Sequence, residues 1–144
     1  MTICQFSLAA EPLHPAALSR PLAHLAAGAF VSFEGWVRNH NAGKTVLALE
    51  YEVYTTLALK EGERIVATAI ERFDLLGAIA YHRYGTLQLG DIAVWVGTTA
   101  AHRRQAFAGT AYIIDEIKCR LPIWKKEYYA GAPATWVYCR EHRH

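Results

Sequence analysis

The chain has 144 residues, which suits one domain over residues 1–144, and its 53% apolar and 19% charged residues are typical of a globular protein and exclude a disordered one. The formal net charge of +2 argues against a general nucleic-acid-binding protein, which needs a strong basic excess. Any anion must therefore be bound by clustered charge.

The predicted elements alternate between strands and helices. A short strand at 2–8 precedes a region, 11–27, in which three prolines allow only a short and interrupted helix. The sequence then predicts strands at 29–37 and 45–54, a helix at 56–75, strands at 78–84 and 91–99, a helix at 102–120, and strands at 123–129 and 134–139. A polar loop from Asn39 to Lys44 separates the first two of these strands. This order predicts an α+β domain with a mostly antiparallel sheet and helices packed on it.

Each long helix carries an apolar stripe at helical spacing, and the stripe is predicted to be buried. In the first helix it consists of Ala58, Ile65, Ala69, Phe73 and Leu76. In the second helix it consists of Ala106, Phe107, Thr110, Ile114, Ile117 and Leu121, and Pro122 stops the helix.

Three basic residues, His102-Arg103-Arg104, open the second helix. A helix N-terminus has free N–H groups and a positive partial charge, so cations there cost about 0.3–1 kcal/mol each. No Ser, Thr, Asp or Asn stands immediately before them as a cap. The arrangement makes sense if the N–H groups and the basic side chains bind a phosphate together. The alternative is a helix that begins a turn earlier, at Thr98 or Thr99, with the basic residues as solvated charge.

Two further sites carry lysines. Lys118 borders the apolar stripe, so its stem can be buried while its amine faces a cleft; snorkelling near the C-terminal end of the helix is the ordinary alternative. Lys125 and Lys126 follow Trp124 on a predicted strand and therefore point to opposite faces. Glu127 shares a face with Lys125 and is placed to orient it by a charge-assisted hydrogen bond. The ordinary alternative is a surface pair of little energetic value.

A basic set emerges from these residues together with Arg38, which ends a strand and offers a fork for phosphate. The set consists of Arg38, His102, Arg103, Lys118 and Lys125. It contains neither paired carboxylates nor a metal cluster. It favours phosphate binding combined with acyl or sulfur transfer over glycoside hydrolysis or metal chemistry. His40 is expected at the surface, and His82, within a strand, is expected to be structural.

The cysteines and the chain start indicate the compartment. Cys4, Cys119 and Cys139 are scattered and odd in number, without the spacing of a zinc site, so we expect reduced thiols, no metal site and no cofactor. No basic region of a signal peptide precedes the first apolar residues. The longest stretch without formal charge, 21–33, is too short to cross a bilayer. We expect a cytoplasmic protein with no membrane or nucleic-acid partner.

Three segments resemble the large, catalytic subunit of molybdopterin synthase. They are Val37-Arg38-Asn39-His40-Asn41, Ala101-His102-Arg103 and Pro122-Ile123-Trp124-Lys125-Lys126-Glu127, and the likeness runs from about Gly28 to His142. The resemblance implies an α/β hammerhead domain with an antiparallel β subdomain. It also implies a homodimer within a heterotetramer, in which each large subunit binds a small ubiquitin-like sulfur carrier.

The activity implied by the resemblance is transfer of sulfur from the carrier's C-terminal Gly-Gly thiocarboxylate to cyclic pyranopterin monophosphate, which forms the molybdopterin dithiolene. Carried over position by position, Lys118 and Lys125 are the implied catalytic residues. The implied substrate-binding residues are Trp36, Val37, Arg38, His102, Arg103, Lys126 and Glu127. Two alternatives remain at this point. One is a non-catalytic module that binds a phosphorylated metabolite or an RNA end, and the other is an inactive partner of a ubiquitin-like protein.

Overall fold

The structure is a computed structural model, and it describes residues 2–131 and 133–138. Across those residues the strands are β1 Ile3–Ala9, β2 Ala29–Trp36, β3 His40–Asn41, β4 Lys44–Val53, β5 Leu75–Arg83, β6 Gly85–Gln88, β7 Ile92–Ala100, β8 Ile123–Tyr129 and β9 Thr135–Tyr138. The α-helices are α1 Pro15–Ser19, α2 Thr55–Phe73 and α3 Arg103–Arg120. A single 3-10 turn, Arg20–Leu22, follows α1, so the region with three prolines holds only short helical pieces, as predicted.

The first sheet has the order β1-β5-β7-β2, and only its β1–β5 pair is parallel. Helices α2 and α3 lie against each other and against this sheet. Side chains of β5 and β7 alternate across it: Ala80 and Val96 belong to the main core with the helices, whereas Ile79 and Trp95 pack with Leu22. Both faces of the central strands are therefore covered.

The stripe of α2 is confirmed for Ala58, Ile65 and Ala69, which are fully buried. The helix ends at Phe73 because Asp74 adopts a left-handed conformation (φ 52°), where its N–H caps the carbonyl of Ile70.

In α3 the prediction for Phe107 is wrong, because 61% of its surface is exposed. The buried face runs through Ala106, Thr110, Ile113 and Ile117, and Phe107 lies about 100° around the helix from Ala106.

In the second sheet β4 lies between β6 and β8, β9 pairs with the outer edge of β8, and β3 forms a hairpin with the start of β4. All of these pairs are antiparallel. Two of the strands contradict the sequence prediction. The expected loop from Asn39 to Lys44 contains β3, and the expected turn at Gly85 (φ 86°) opens β6. Both strands are short and exist because β4 offers them partners.

The α+β class, with an α/β layer and a curled antiparallel subdomain, is confirmed. The single sheet expected from the sequence is instead two sheets, which share the core through β4, β6 and the helices. No helix in the described part of the chain is long and apolar enough to cross a bilayer.

Candidate functional site

A polar pocket of about 150 Å³ opens where the second sheet meets α3. Strands β4 and β8 form one side of it, the end of β2 and the β3 hairpin form another, and α3 contributes one lysine. The lining residues are Trp36, Arg38, His40, Asn41, Leu49, Tyr51, Lys118, Lys125 and Glu127. The pocket thus brings together residues that lie up to 91 positions apart in the sequence.

Three cations of the predicted basic set share this pocket. Arg38 is exposed at its rim, whereas Lys118 and Lys125 are half-buried. Lys118 reaches it from the flank of the buried face of α3, as its position beside Ile117 predicts. Three positive groups around one small cavity favour an anion in that cavity.

The buried carboxylate of Glu127 lies among these cations with only 3% of the residue exposed. The Nδ2 atom of Asn41 donates to its Oε1 at 2.9 Å and its Oε2 at 3.1 Å, and the hydroxyl of Tyr129 donates to Oε1 at 2.8 Å. The donors are therefore Asn41 and Tyr129 and not Lys125, which the sequence interpretation had paired with Glu127. Of these two donors, the sequence analysis names only Asn41, within the segment Val37-Arg38-Asn39-His40-Asn41.

His82 lies beneath the pocket, on β5. Its ring packs edge-to-face on Tyr51 with 5.0 Å between the ring centroids, and its Nδ1 lies 2.7 Å from the carbonyl oxygen of Arg83. Burial lowers the pKa of His82 to about 4, the hydrogen bond to Arg83 opposes this shift, and the charge of Lys118 adds to it. At neutral pH the imidazole is uncharged, and because Nδ1 donates to the carbonyl, Nε2 carries a lone pair. No pattern in the sequence predicts this contact, since it depends on β4 and β5 meeting in space.

A second pocket, of about 550 Å³, surrounds the start of α3 and is lined by Gly28, Ala101, His102, Arg103 and Arg104. His102 is the N-cap in an extended conformation, no side chain caps the helix, and its first turn has no acidic residue.

The alternative of an earlier helix start is excluded, because Thr98 and Thr99 lie in β7. The uncapped, cation-rich helix start is confirmed. His102 and Arg103 do not line the same pocket as Arg38 within one chain.

Of three further residues implied by the resemblance, two lie away from the lysine pocket and one lines it. The side chain of Val37 is in the main core, and its backbone bonds to Asp91 and Gly90. Lys126 lies on the opposite face of β8 from Lys125, with its Nζ 5.4 Å from the ring centroid of Trp136. Trp36 lines the pocket but is 64% exposed.

Neither of the two cysteines that the structure describes lines the lysine pocket. Cys4 is on β1, where partial burial and the carboxylate of Glu63 raise the pKa of its thiol. Cys119 is on α3 and follows Lys118, but it does not line the pocket. Cys139 lies outside the described residues. Within the described ranges, no group of three or more His, Cys, Asp or Glu side chains is arranged to hold a metal ion.

Solved structures share this fold. Molybdopterin synthase from Staphylococcus aureus superposes with a TM-score of 0.82 at 33% identity, over 90% of this chain and 94% of that one. A complex of subunits 1 and 2 of molybdopterin-converting factor from Helicobacter pylori superposes with a TM-score of 0.74 at 20% identity, over 96% of this chain and 92% of that one, and so indicates the fold alone.

Sequence comparisons agree with the structural ones. The molybdopterin synthase catalytic subunit of Pyrococcus abyssi is 45% identical over 100 residues, which are 69% of this chain and 68% of that protein. The Yersinia pestis protein of the same name is 42% identical over 117 residues, 81% of this chain and 77% of that one. The family model described as "MoaE protein" matches residues 8–120. The chain therefore belongs to the MoaE protein family.

Proposed function

We propose that this chain is the catalytic subunit of a molybdopterin synthase. It transfers sulfur from the C-terminal thiocarboxylate of a small ubiquitin-like carrier to cyclic pyranopterin monophosphate and so forms the molybdopterin dithiolene. The observation that carries the proposal is the meeting of Arg38, Lys118 and Lys125 around one polar pocket, in a chain of this family. The positive charge of this pocket suits an anionic substrate and an anionic sulfur donor.

The proposed reaction has two steps. In the first step the thiocarboxylate sulfur attacks a side-chain carbon of the pterin, the carbon–oxygen bond at that carbon breaks, and its electron pair leaves with the oxygen. A thioester then joins carrier and substrate. Water then adds to the carrier's carbonyl, the carbon–sulfur bond on the carrier side breaks, and the carrier leaves as a carboxylate while the sulfur stays on the pterin. Lys118 and Lys125 stabilise the negative charge that develops on the carbonyl oxygen. Arg38 binds the phosphate.

A second copy of the chain supports the same site. Strand β2 is an edge strand with Phe30, Phe33 and Trp36 exposed along it, and such edges are usually covered. Its start adjoins the His102 pocket, and its end adjoins the lysine pocket, roughly 25 Å away for eight extended residues. Antiparallel pairing of two β2 edges would bring the His102 and Arg103 of one copy beside the Arg38 of the other. We infer a homodimer with shared pockets, within a heterotetramer.

The carrier supplies the sulfur, and no cysteine of this chain relays it. Cys4 has a raised pKa, which disfavours the reactive thiolate, and the thiocarboxylate already holds an activated sulfur. A variant in which Cys4, Cys119 and Cys139 are all replaced by Ser should therefore keep its activity. We place the protein in the cytoplasm, as one domain over residues 1–144 without a bound cofactor.

Reconstitution tests the proposal. The purified chain, a carrier made as its thiocarboxylate and the pterin precursor should yield dithiolene product, measured by its conversion to a fluorescent derivative. A carrier ending in an ordinary carboxylate is the control and should give none. Binding of the pterin precursor without any product would overturn the proposal and favour the non-catalytic binding module.

A further inference from the structure

We propose that Asn41 is a positioning residue: by binding the buried carboxylate of Glu127, it fixes the β3–β4 hairpin so that Arg38 and His40 face the two lysines. The inference rests on the function proposed above. It concerns how the pocket is held together and not which groups react.

The first support is that the buried carboxylate of Glu127 needs hydrogen-bond donors. A carboxylate that is 3% exposed is costly unless it accepts hydrogen bonds, and charge-assisted bonds are the strong ones. In the described part of the chain, its side-chain donors are the amide of Asn41 and the hydroxyl of Tyr129. Asn41 lies 86 positions from Glu127, so this bond joins the hairpin to β8. Without it, Glu127 would keep the Tyr129 bond but lose its hydrogen bonds to the hairpin tip.

The second support is the weak intrinsic stability of the hairpin tip. β3 has two residues, which pair as His40 with Thr45 and Asn41 with Lys44. The turn between them places Ala42 (φ 50°) and Gly43 (φ 78°) in the left-handed region. Turns of this kind favour Asn-Gly or Asp-Gly, and a residue with a Cβ such as alanine is disfavoured at the first position. Local preferences alone therefore specify the hairpin poorly.

The third support is a second contact from the paired residue of the hairpin. The ammonium of Lys44 lies 5.0 Å from the ring centroid of Tyr129, the same residue whose hydroxyl binds Glu127. Asn41 and Lys44 thus hold one carboxylate and its neighbouring ring. The contacts of Asn41 and Lys44 with β8 lie between Arg38 and His40 on one side and Lys125 on the other. Loss of these contacts should therefore free the part of the hairpin that binds the anion.

The experiment compares Asn41→Ala with Thr45→Ala in the reconstituted sulfur-transfer reaction. Thr45 is exposed on the same hairpin and does not line the pocket. Asn41→Ala should raise the KM for the pterin precursor about tenfold or more with a smaller change in kcat, because binding by Arg38 suffers first. In the double variant Asn41→Ala/Arg38→Ala, the fold-increase in KM should be smaller than the product of the two single fold-increases, since both changes act on one interaction.

Trypsin gives a readout that does not depend on activity. Cleavage after Lys44 should be faster in Asn41→Ala than in the wild type and in Thr45→Ala, with thermal unfolding of all three measured alongside. An unchanged KM together with wild-type cleavage at Lys44 would overturn the inference, as would fully multiplicative effects in the double variant. An inactive wild type would instead contradict the proposed function, and the cleavage comparison would still decide the role of Asn41.

Discussion

At the scale of single residues, the positive charge of the pocket depends on which ionisable side chains are exposed to water and which are buried. Arg38 stays in water, whereas Lys118 and Lys125 are half-buried. His82 is fully buried and neutral beside them. Because the imidazole is neutral, the positive charge of the pocket is carried by Arg38, Lys118 and Lys125. In the proposed reaction the two lysines stabilise the oxyanion.

Replacing Lys118 by alanine should abolish most activity and leave the fold intact. The residue borders the core without belonging to the fully buried set, so we expect the free energy of unfolding to change by about 1 kcal/mol or less. Loss of a transition-state contact should lower kcat about 100-fold or more. Product formation is compared with that of Lys60→Ala, an exposed lysine on α2. A folded Lys118→Ala protein with near-normal turnover would rule out the assigned role.

His82 should make the protein less stable in mild acid. In the unfolded chain its pKa is near 6.5, whereas in the folded protein it is about 4. Between these two values the unfolded state binds the proton and the folded state does not, so the free energy of unfolding falls as pH falls from 6.5 to 4. The loss is on the order of 3 kcal/mol and levels off below pH 4.

Chemical unfolding measured across that window checks this effect. His82→Asn keeps a donor near the Arg83 carbonyl but removes the titration, so it should show a shallower pH dependence. His14→Asn, at an exposed histidine, should match the wild type. Equal slopes for His82→Asn and the wild type would show that His82 is not a buried neutral group.

At the scale of elements, the alternation of side chains along strand β8 decides which of its two lysines lines the pocket. Lys125 and Glu127 face the pocket, while Lys126 faces the rings of Tyr128 and Trp136. The resemblance implied a substrate contact for both lysines, but the geometry favours Lys125.

Lys125→Ala should therefore lower kcat/KM at least about tenfold more than Lys126→Ala does, since Lys125 lines the pocket and Lys126 does not. The two variants are assayed side by side with the same carrier preparation. Carrier binding is measured separately, so that a docking defect is not read as a chemical one. Equal losses in kcat/KM with carrier binding intact would contradict the assignment.

Close packing between α2 and β1 limits the size of the side chain at position 62. A Cβ at Gly62 would overlap the ring of Phe6, which is 7% exposed. Gly62→Ala should therefore destabilise the fold by about 1–3 kcal/mol, although alanine is the better helix former. Adding Phe6→Leu to Gly62→Ala should recover part of the loss. If Gly62→Ala alone raises the melting temperature, the close approach of the two elements is wrong.

Local signals explain which features were predictable from the sequence. The cation-rich start of α3, the opposite directions of Lys125 and Lys126, and Lys118 at the edge of the apolar face depend only on neighbours within a turn or two. Strands β3 and β6, the bond from Asn41 to Glu127 and the stacking of His82 on Tyr51 depend on distant segments. One sequence alone does not indicate which distant segments pair with each other. The prediction for Phe107 was wrong because this apolar residue was counted with the stripe, although it lies about 100° around the helix from the buried Ala106.

At the scale of the whole molecule, the two cationic pockets lie at opposite ends of one edge strand, β2. We propose that the reacting site combines the lysine pocket of one copy with His102 and Arg103 of another. Phe30 and Phe33, exposed on β2 between the two pockets, are the surface that the second copy is expected to cover.

Mixed dimers test this claim most directly. Lys118→Ala and Arg103→Ala chains are co-expressed with different affinity tags, and dimers that carry both tags are purified. Each mixed dimer should hold one doubly defective site and one intact site, so its rate of sulfur transfer should be about half that of the wild type, while each variant alone is nearly inactive. Mixed dimers no more active than either parent would show that the site does not span two copies.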